Sequence, residues 1–233
     1  MTESIEKLIV EQVLGAVSEQ RLKAGTKLGE QALSDIFSCS RDHVRRALTA
    51  LSAHKIVELK PNRGAFITTP SPQEARNVFQ ARRAIEKTVT RNVIGLISRR
   101  DLARLRRHVD KERAAREADN RREAIRLSGQ FHLVLAEIGH NDVLAGFLNE
   151  LVLRSSLIIG LYATSVASMC EDDEHLELVD AIGDRDEARA LALIDGHLRH
   201  VESGLSFSED HEVQDLTAIL SDGRARKPLL QGR

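Results

Sequence analysis

The chain has 233 residues, 34 of them basic and 35 acidic, with four prolines and no tryptophan. Its length allows two domains, and its abundance of Ala, Leu, Arg and Glu predicts a mostly helical, soluble protein. We expect neither a secreted nor a membrane protein, because residues 1–17 lack the pattern of a signal peptide and the apolar run 157–169 is short for a bilayer span. Cys39 and Cys170 are expected to be reduced.

A helix-turn-helix is predicted between residues 28 and 51. The first helix, 30–37, repeats apolar residues at the spacing of one buried face, and a break follows at Ser38-Cys39. Ser40 is a suitable N-cap for a second helix that runs to Leu51. The outer face of this helix carries Arg41, Asp42, His43, Arg45, Arg46 and Thr49. Such a basic second helix places its first residues against base edges in the major groove, where arginine can bond guanine.

A wing is predicted after this helix, as strands at 56–59 and 65–68 around the turn 60–64. Asn and Gly in the turn tolerate its geometry, and Arg63 at the tip would lie near a phosphate backbone or a minor groove. Residues 36–66 hold six basic and two acidic side chains, a net +4 in a chain whose total charge is −1. The basic charge is therefore concentrated where double-stranded DNA would bind.

This stretch resembles the winged-helix domain of the GntR family of bacterial transcription regulators. The matching positions are Gly25, Leu28, Glu30, Leu33, Ser40-Arg41, Val44-Arg45, Ala47-Leu48, Leu51 and 61–66. The resemblance implies DNA contacts from the recognition helix, the preceding helix and the wing, through Ser40, Arg41, His43, Arg45, Gln31, Arg63 and Gly64.

Two positions depart from the family pattern. Family members commonly have Arg where Gln31 stands, and Thr-Pro or Thr-Thr where Asp42-His43 stands. Because Asp42 could accept only from cytosine N4 or would repel phosphate, we expect an atypical operator sequence.

The prolines of residues 69–72 mark a domain boundary. We expect a DNA-binding domain at 1–70, a linker and the start of the first bundle helix at 71–78, an effector-binding domain at 79–207, and a flexible polar tail at 208–233. Helices are predicted at 72–97, 99–118, 120–138, 141–168, 171–183 and 186–205. Six helices with short connections predict an antiparallel bundle, so the fold class is mainly α, a winged helix-turn-helix followed by an all-helical domain.

The segment from Arg99 to Arg126 holds eleven basic and six acidic residues. One interpretation is a second nucleic-acid surface. The simpler one is a pair of solvated helix faces with i,i+4 ion pairs such as that of Glu112 with Arg116.

Three histidines lie among apolar positions of separate bundle helices: His132, His175 and His197. One such histidine is usually structural, but three in one small bundle can share a divalent metal, zinc or alternatively nickel or a similar ion. His200, one turn after His197, is an alternative third ligand.

The surrounding motifs resemble the FCD ligand-binding domain of the FadR branch of GntR regulators, and six helices point to its VanR-like subgroup. They are 131–133, 139–141, 175–184, Ala188 and His197-Leu198. In that family three histidines and an aspartate one turn before the first hold a metal beside the effector pocket. Ser128 stands in place of the aspartate, so we expect an open coordination position and weaker metal binding.

An open three-histidine site would also suit a hydrolytic zinc enzyme, which needs a general base beside the metal-bound water. The sequence has no His-Glu-x-x-His motif, and Glu137, five residues after His132, points elsewhere on its helix. We therefore favour a sensor and keep the metal-dependent enzyme as the alternative.

The effector is expected to be a small organic acid. Arg82, beside Arg83, matches the family's arginine on the first bundle helix, and Arg154 is a cation on a largely apolar helix that could bind a carboxylate or pair internally. Further pocket candidates are Ser128, Asn141 and Tyr162. The sequence thus predicts a cytoplasmic, homodimeric, effector-responsive regulator, in most cases of this kind a repressor, on a palindromic operator.

Overall fold

The computed structural model describes residues 4–163, 174–207 and 216–221 of the chain. It divides into two compact units, one of residues 1–69 and 209–233 and the other of residues 70–208. Several residues considered above lie outside the described ones, namely Cys170, the end of the apolar run at 164–169, and most of the tail.

The first unit is a small helical domain with a three-stranded sheet. Its elements are α1 (Ile5–Ser18), β1 (Lys27–Leu28), α2 (Glu30–Phe37), α3 (Arg41–Ala53), β2 (Val57–Lys60) and β3 (Gly64–Ile67). The apolar stripes of the three helices meet in a core, in which Val13, Leu33 and Leu51 are fully buried. The winged helix-turn-helix prediction is confirmed.

The sheet has the order β1-β3-β2, and both pairings are antiparallel. Phe66 in β3 is the pairing partner of Lys27 on one side and Glu58 on the other. The turn between β2 and β3 takes positive φ at Asn62 and Gly64, which is why these residue types suit it. The two-residue strand β1 was not predicted, because its existence depends on its partner strand.

A further short helix, α10 (Leu216–Ser221), belongs to the same unit although it follows the bundle in sequence. It packs against α1 and α2, where Leu220 is buried and the guanidinium of Arg21 donates a hydrogen bond to the carbonyl of Ile219. The prediction of a flexible tail is therefore wrong for these six residues. Elsewhere in 208–233 it stays a prediction.

The second unit is a helical bundle. Its described helices are α4 (Pro72–Leu96), α5 (Arg99–Glu117), α6 (Arg121–Ile138), α7 (Asp142–Tyr162), α8 (Glu174–Gly183) and α9 (Glu187–Ser203). Ser71 and Ser98 form capping boxes at the starts of α4 and α5, which fixes where those helices begin. The core around Phe131 and Leu148 draws on all six helices.

Helix α7 is the most apolar element of the bundle. By length and composition alone it could cross a membrane, with a mean hydropathy of 1.5. It packs against α4 and α6, as a bundle helix does. Its end at Tyr162 is earlier than predicted, because Ala163 leaves the helix in an extended conformation and pairs with Leu205.

Candidate functional site

The recognition helix α3 exposes the residues expected to read DNA. Ser40, Arg41 and Arg45 are exposed at or after its N-terminus, while Val44 and Leu48 face the core. Ser40 occupies the N-cap position with extended backbone, but its side chain makes no capping hydrogen bond. The expected hydroxyl cap is therefore absent.

Glu30, at the start of α2, holds both leading arginines. Its Oε2 accepts hydrogen bonds from Nη2 of Arg41 and from Nε of Arg45, each at 3.0 Å. These bonds, Arg45 first, lower the pKa of Glu30. Asp42 lies 3.5 Å from Arg45 on the exposed side. The two guanidinium groups are thus oriented before any DNA binds.

Glu6, on α1, contacts the other basic residues of α3. Its Oε1 lies 2.8 Å from Nδ1 of His43 and accepts from Nε of Arg46 at 2.9 Å. The hydrogen bond with His43 is the main reason that the pKa of Glu6 falls to about 2, with a smaller contribution from Arg46. His43 is half-buried on this side of the helix, so it is less accessible than Arg41 or Arg45.

The remaining predicted DNA contacts lie on α2 and on the wing. Gln31 is exposed and donates to Oδ1 of Asp35 at 2.8 Å. Arg63 and Gly64 are exposed at the tip of the wing. One groove is lined by Arg45 of α3 together with Asn62 and Gly64 of the wing, so both elements border the same concave surface.

The three bundle histidines come together in the interior of the second unit. His132 on α6, His175 on α8 and His197 on α9 are all buried, and one nitrogen of each lies within 4.8 Å of the others. The Nε2 atoms of His175 and His197 are 3.2 Å apart. His200 instead lies partly exposed, with Nδ1 2.9 Å from Glu174, so it is not a member of the cluster.

Each histidine also has a carboxylate beside its Nδ1. Glu112 lies 2.6 Å from His175 and Glu174 lies 2.7 Å from His197, both as hydrogen bonds. Glu86 lies 2.6 Å from His132, although that contact departs from the direction of a regular hydrogen bond. These carboxylates were missed as site residues by the sequence reasoning.

The electrostatics of the cluster favour neutral His132 and His197 and ionised carboxylates. Burial lowers the pKa of His132 to about 3, and burial with the charge of His175 lowers that of His197 to about 4. Burial alone would raise the pKa of Glu86, but Arg82 and His132 outweigh it and lower that pKa to about 2. For Glu112 burial is outweighed in the same way by His175 and His108, and its pKa falls well below the usual range.

This donor set fits a divalent cation. Neutral imidazole is a ligand for zinc and similar ions, and the Nε2 atoms of His175 and His197 face each other while their Nδ1 atoms face carboxylates. Two nitrogens bound at about 2.05 Å to a tetrahedral ion would lie about 3.3 Å apart, close to the distance between His175 and His197. His132, His175 and His197 could therefore hold a metal together.

A cavity adjoins the cluster. Its lining comprises Arg82, Arg116, Ala124, Ile125, Ser128, Gly129, His132, Ser156, Ile159, His197 and Val201. Arg82 is buried; its Nε donates to Glu86 at 2.7 Å and its Nη1 to Ser155 at 2.9 Å. The third nitrogen, Nη2, is buried without a hydrogen-bond partner among the described residues. The lining of the cavity thus combines a buried cationic side chain, that of Arg82, with apolar ones.

Comparisons with known proteins identify both units. The family model of bacterial regulatory proteins of the gntR family matches residues 5–67, and the model of the FCD domain matches residues 77–200. The chain belongs to the GntR family, in its FCD branch. It is a DNA-binding transcription regulator.

Relatives agree with this assignment. The regulator LutR of Bacillus subtilis strain 168 is 27% identical over 220 residues, covering 85% of this chain and 100% of LutR. The repressor RspR of Escherichia coli K12 is 30% identical over 114 residues, 49% of this chain and 50% of RspR. The solved structure of E. coli McbR/YncC has the same fold, with a TM-score of 0.71, 19% identity and coverage of 85% of this chain and 95% of that one. LutR and RspR are transcription regulators, and this chain belongs to a family of regulators rather than enzymes.

Not every predicted effector residue lies at the cavity of the FCD domain. Arg82 and Ser128 line it, as expected. Asn141 instead caps α7, its Oδ1 accepting from the amide of Leu144, and is exposed. Arg154 does not line the cavity and lies 3.8 Å from Glu150 one turn before it. Neither residue lines this cavity, and each has a partner on its own helix; their effector role stays a prediction.

Two other residues of the FCD domain, Tyr162 and Glu112, have different surroundings from those predicted. Tyr162 packs on Phe207, with ring centroids 4.4 Å apart, outside the cavity. Glu112 does lie 3.9 Å from Arg116, as predicted, but it is buried against His175 rather than on a solvated face. Other basic residues of the 99–126 segment do form surface pairs, as Arg104 does with Glu137 and Arg106 with Asp180.

Proposed function

We propose that this GntR regulator is a cytoplasmic, homodimeric repressor, of the VanR-like subgroup, whose affinity for operator DNA is controlled by a small carboxylate bound in the FCD domain. The ligand must bind one arrangement of the dimer better than the other, since only that difference in affinity can shift DNA binding. The six described helices of the bundle support the subgroup assignment.

The observation that carries the proposal is the unsatisfied Nη2 of Arg82. A buried donor without a partner costs about 1–3 kcal/mol and more when charged, so a ligand anion at this point would be strongly favoured. The apolar wall formed by Ile125, Ile159 and Val201 suits the carbon skeleton of an organic acid.

We also propose a divalent metal, zinc or a similar ion, on His132, His175 and His197. When bound, the ion would offer an open coordination position, with its positive charge, to an oxygen atom of the effector. Ser128, which lines the cavity beside His132, takes the place of a fourth protein ligand and leaves room on that side. Arg82 would orient the carboxylate from the other.

The homodimer part of the proposal is supported by the exposed face of α7. Only about a third of its apolar stretch is buried, and Val143 and Phe147 are 68% and 58% exposed. Leu96, at the end of the neighbouring helix α4, is 53% exposed. Large apolar side chains concentrated on two packed helices favour an interface, and we assign this surface to a second copy of the chain.

The test is thermal stabilisation of the full chain by a panel of carboxylates, with and without added zinc, followed by operator binding in the presence of each ligand that stabilises it. A ligand selective for the native state should raise the melting temperature and change operator affinity. Arg82→Lys should weaken that ligand by roughly tenfold to a hundredfold, because lysine lacks the planar fork.

The matched control is Arg154→Lys, an arginine of the same unit that lies away from the cavity, and it should leave ligand affinity unchanged. Equal affinity in wild type and Arg82→Lys would remove Arg82 from the effector site. A chain whose operator affinity responds to none of the carboxylates, in either metal state, would contradict the proposed regulation.

A further inference from the structure

A carboxylate lies beside each of the three histidines, and the three carboxylates come from three different helices. Glu86 lies on α4, Glu112 on α5 and Glu174 at the start of α8. The pairs join Glu86 with His132, Glu112 with His175, and Glu174 with His197, at 2.6, 2.6 and 2.7 Å from Nδ1. One carboxylate therefore serves each imidazole.

These carboxylates are buried at a cost. The side chains of Glu86 and Glu112 are 3% and 1% exposed, and an ionised carboxylate taken from water loses several kcal/mol of hydration unless it is paired. Arg82 accompanies Glu86 at 2.7 Å, and His108 accompanies Glu112 at 3.3 Å. Apolar residues would fill the same space without this cost, so the carboxylates call for a role beyond packing.

Their geometry decides where the protons of the imidazoles lie. An ionised carboxylate only accepts, so the ring beside it places its hydrogen on Nδ1 and keeps a lone pair on Nε2. The Nε2 atoms of His175 and His197 lie 3.2 Å apart. Two lone pairs facing each other at that distance repel, and a cation between them turns the repulsion into attraction.

We propose that Glu112 and Glu174 are positioning residues that fix the Nδ1–H tautomer of His175 and His197, so that the Nε2 lone pairs of both rings face one cation beside His132. This inference rests on the proposed metal site and identifies residues that determine how tightly that site binds its cation. Phe131 supports the same arrangement, since its ring stacks on that of His175 with centroids 4.1 Å apart and limits its rotation.

Glutamine is the informative replacement. A glutamine at 112 or 174 keeps the size of the side chain, but its amide can donate to Nδ1 and drive the hydrogen to Nε2, where it blocks the cation. We expect Glu112→Gln and Glu174→Gln each to weaken zinc and nickel binding by about 10- to 100-fold. The control is Glu137→Gln on α6, which removes a carboxylate that bonds Arg104 on the surface and should leave metal affinity within twofold of the wild type.

The second measurement reads the tautomers directly and needs no metal. Long-range ¹H–¹⁵N spectra of the metal-stripped full chain, labelled at histidine nitrogens, should show His175 and His197 protonated at Nδ1 alone. In Glu174→Gln the signal of His197 should move to the Nε2–H form while His175 keeps its own. Because Glu174 is partly exposed, this variant should fold even if Glu112→Gln does not.

The possible results separate the two proposals. Metal binding by the wild type with unchanged affinity in both glutamine variants, or rings that carry two protons or Nε2–H, would overturn the positioning role and leave the metal site standing. If the wild type binds neither zinc nor nickel, the proposed metal site fails, and the positioning role fails with it.

Discussion

Arg41 and Arg45 lie one helical turn apart on α3 and share a single oxygen of Glu30. Because Glu30 already orders both side chains, each arginine loses less conformational entropy when it binds DNA. Because they are pre-oriented and exposed at the start of the recognition helix, we expect Arg41→Ala and Arg45→Ala each to weaken operator binding by about 1–3 kcal/mol.

Fluorescence anisotropy with an operator selected from random duplexes, at fixed salt, measures this effect. Arg91→Ala is the control, since Arg91 lies on α4 and pairs with Glu187 on the surface of the bundle. Operator affinity within twofold of the wild type in both α3 variants would exclude the recognition helix from base reading.

Ser128 gives a second prediction at the level of one residue. A carboxylate at this position would stand on the helix of His132, one turn before it, and add a charged oxygen to three neutral nitrogens. Ser128→Asp should tighten zinc binding by roughly tenfold or more, about 1.4 kcal/mol. Competition with a chromophoric chelator gives the affinity, and Ser156→Asp, across the same cavity, tests whether position or charge alone is responsible.

The metal candidates could be predicted from sequence, but the residues that orient them could not. His132, His175 and His197 stand out because a histidine among apolar helix positions is uncommon. Glu112 gives no such signal, since the arginine four residues later makes it look like half of a surface ion pair. Its burial depends on which face α5 turns toward α8, which the sequence of α5 does not specify on its own.

At the scale of elements, local signals placed most boundaries. Ser71 with Glu74 and Ser98 with Asp101 are capping pairs that can be seen in the sequence, and α4 and α5 begin where those pairs place them. Strand β1 and helix α10 have no comparable signal. A two-residue strand and a six-residue helix are too short for periodicity, and each forms because of a distant partner.

The contact between α1 and α3 predicts a pH effect on stability. Glu6 has a pKa lowered from 4.5 to about 2 by His43 and Arg46. A lowered folded-state pKa contributes stability above pH 4.5, and that contribution is lost as the pH falls from 4.5 toward 2. Glu6→Gln should therefore be less stable than the wild type near neutral pH, with the difference vanishing near pH 2.

Urea unfolding followed by the amide NMR signals of α1 and α3, repeated from pH 2 to 7, measures this difference. Glu11→Gln, on the same helix and paired with Lys7, serves as the control and should follow the wild-type profile. A stability difference between Glu6→Gln and the wild type that persists unchanged to pH 2 would contradict an electrostatic role for Glu6.

At the scale of the whole molecule, the two units and their fold classes could be predicted from composition and periodicity, while the exposed apolar face proposed as a dimer interface could not. The apolar residues of α7 look like core residues in sequence, and only the packed bundle distinguishes the covered face from the open one. Val143 and Phe147 are on the open face.

Phe147→Lys should therefore dissociate the proposed homodimer. Loss of a central aromatic anchor typically costs 2 kcal/mol or more, which is roughly a thirtyfold weaker dimer. Sedimentation velocity at micromolar concentration should show a monomer for Phe147→Lys and a dimer for the wild type. Leu59→Lys, an exposed leucine of the wing, should remain dimeric; a dimer in both variants would place the interface elsewhere.

The position of α10 has a consequence for how the protein can be divided. The chain leaves the first unit at residue 69, and α10 packs in that unit again after the bundle, so the bundle is topologically an insertion within the DNA-binding unit. A fragment that stops at residue 69 would uncover the apolar surface on which Leu220 packs. A fragment intended to bind DNA should instead contain both residues 1–69 and the segment with α10, joined by a flexible linker in place of the bundle.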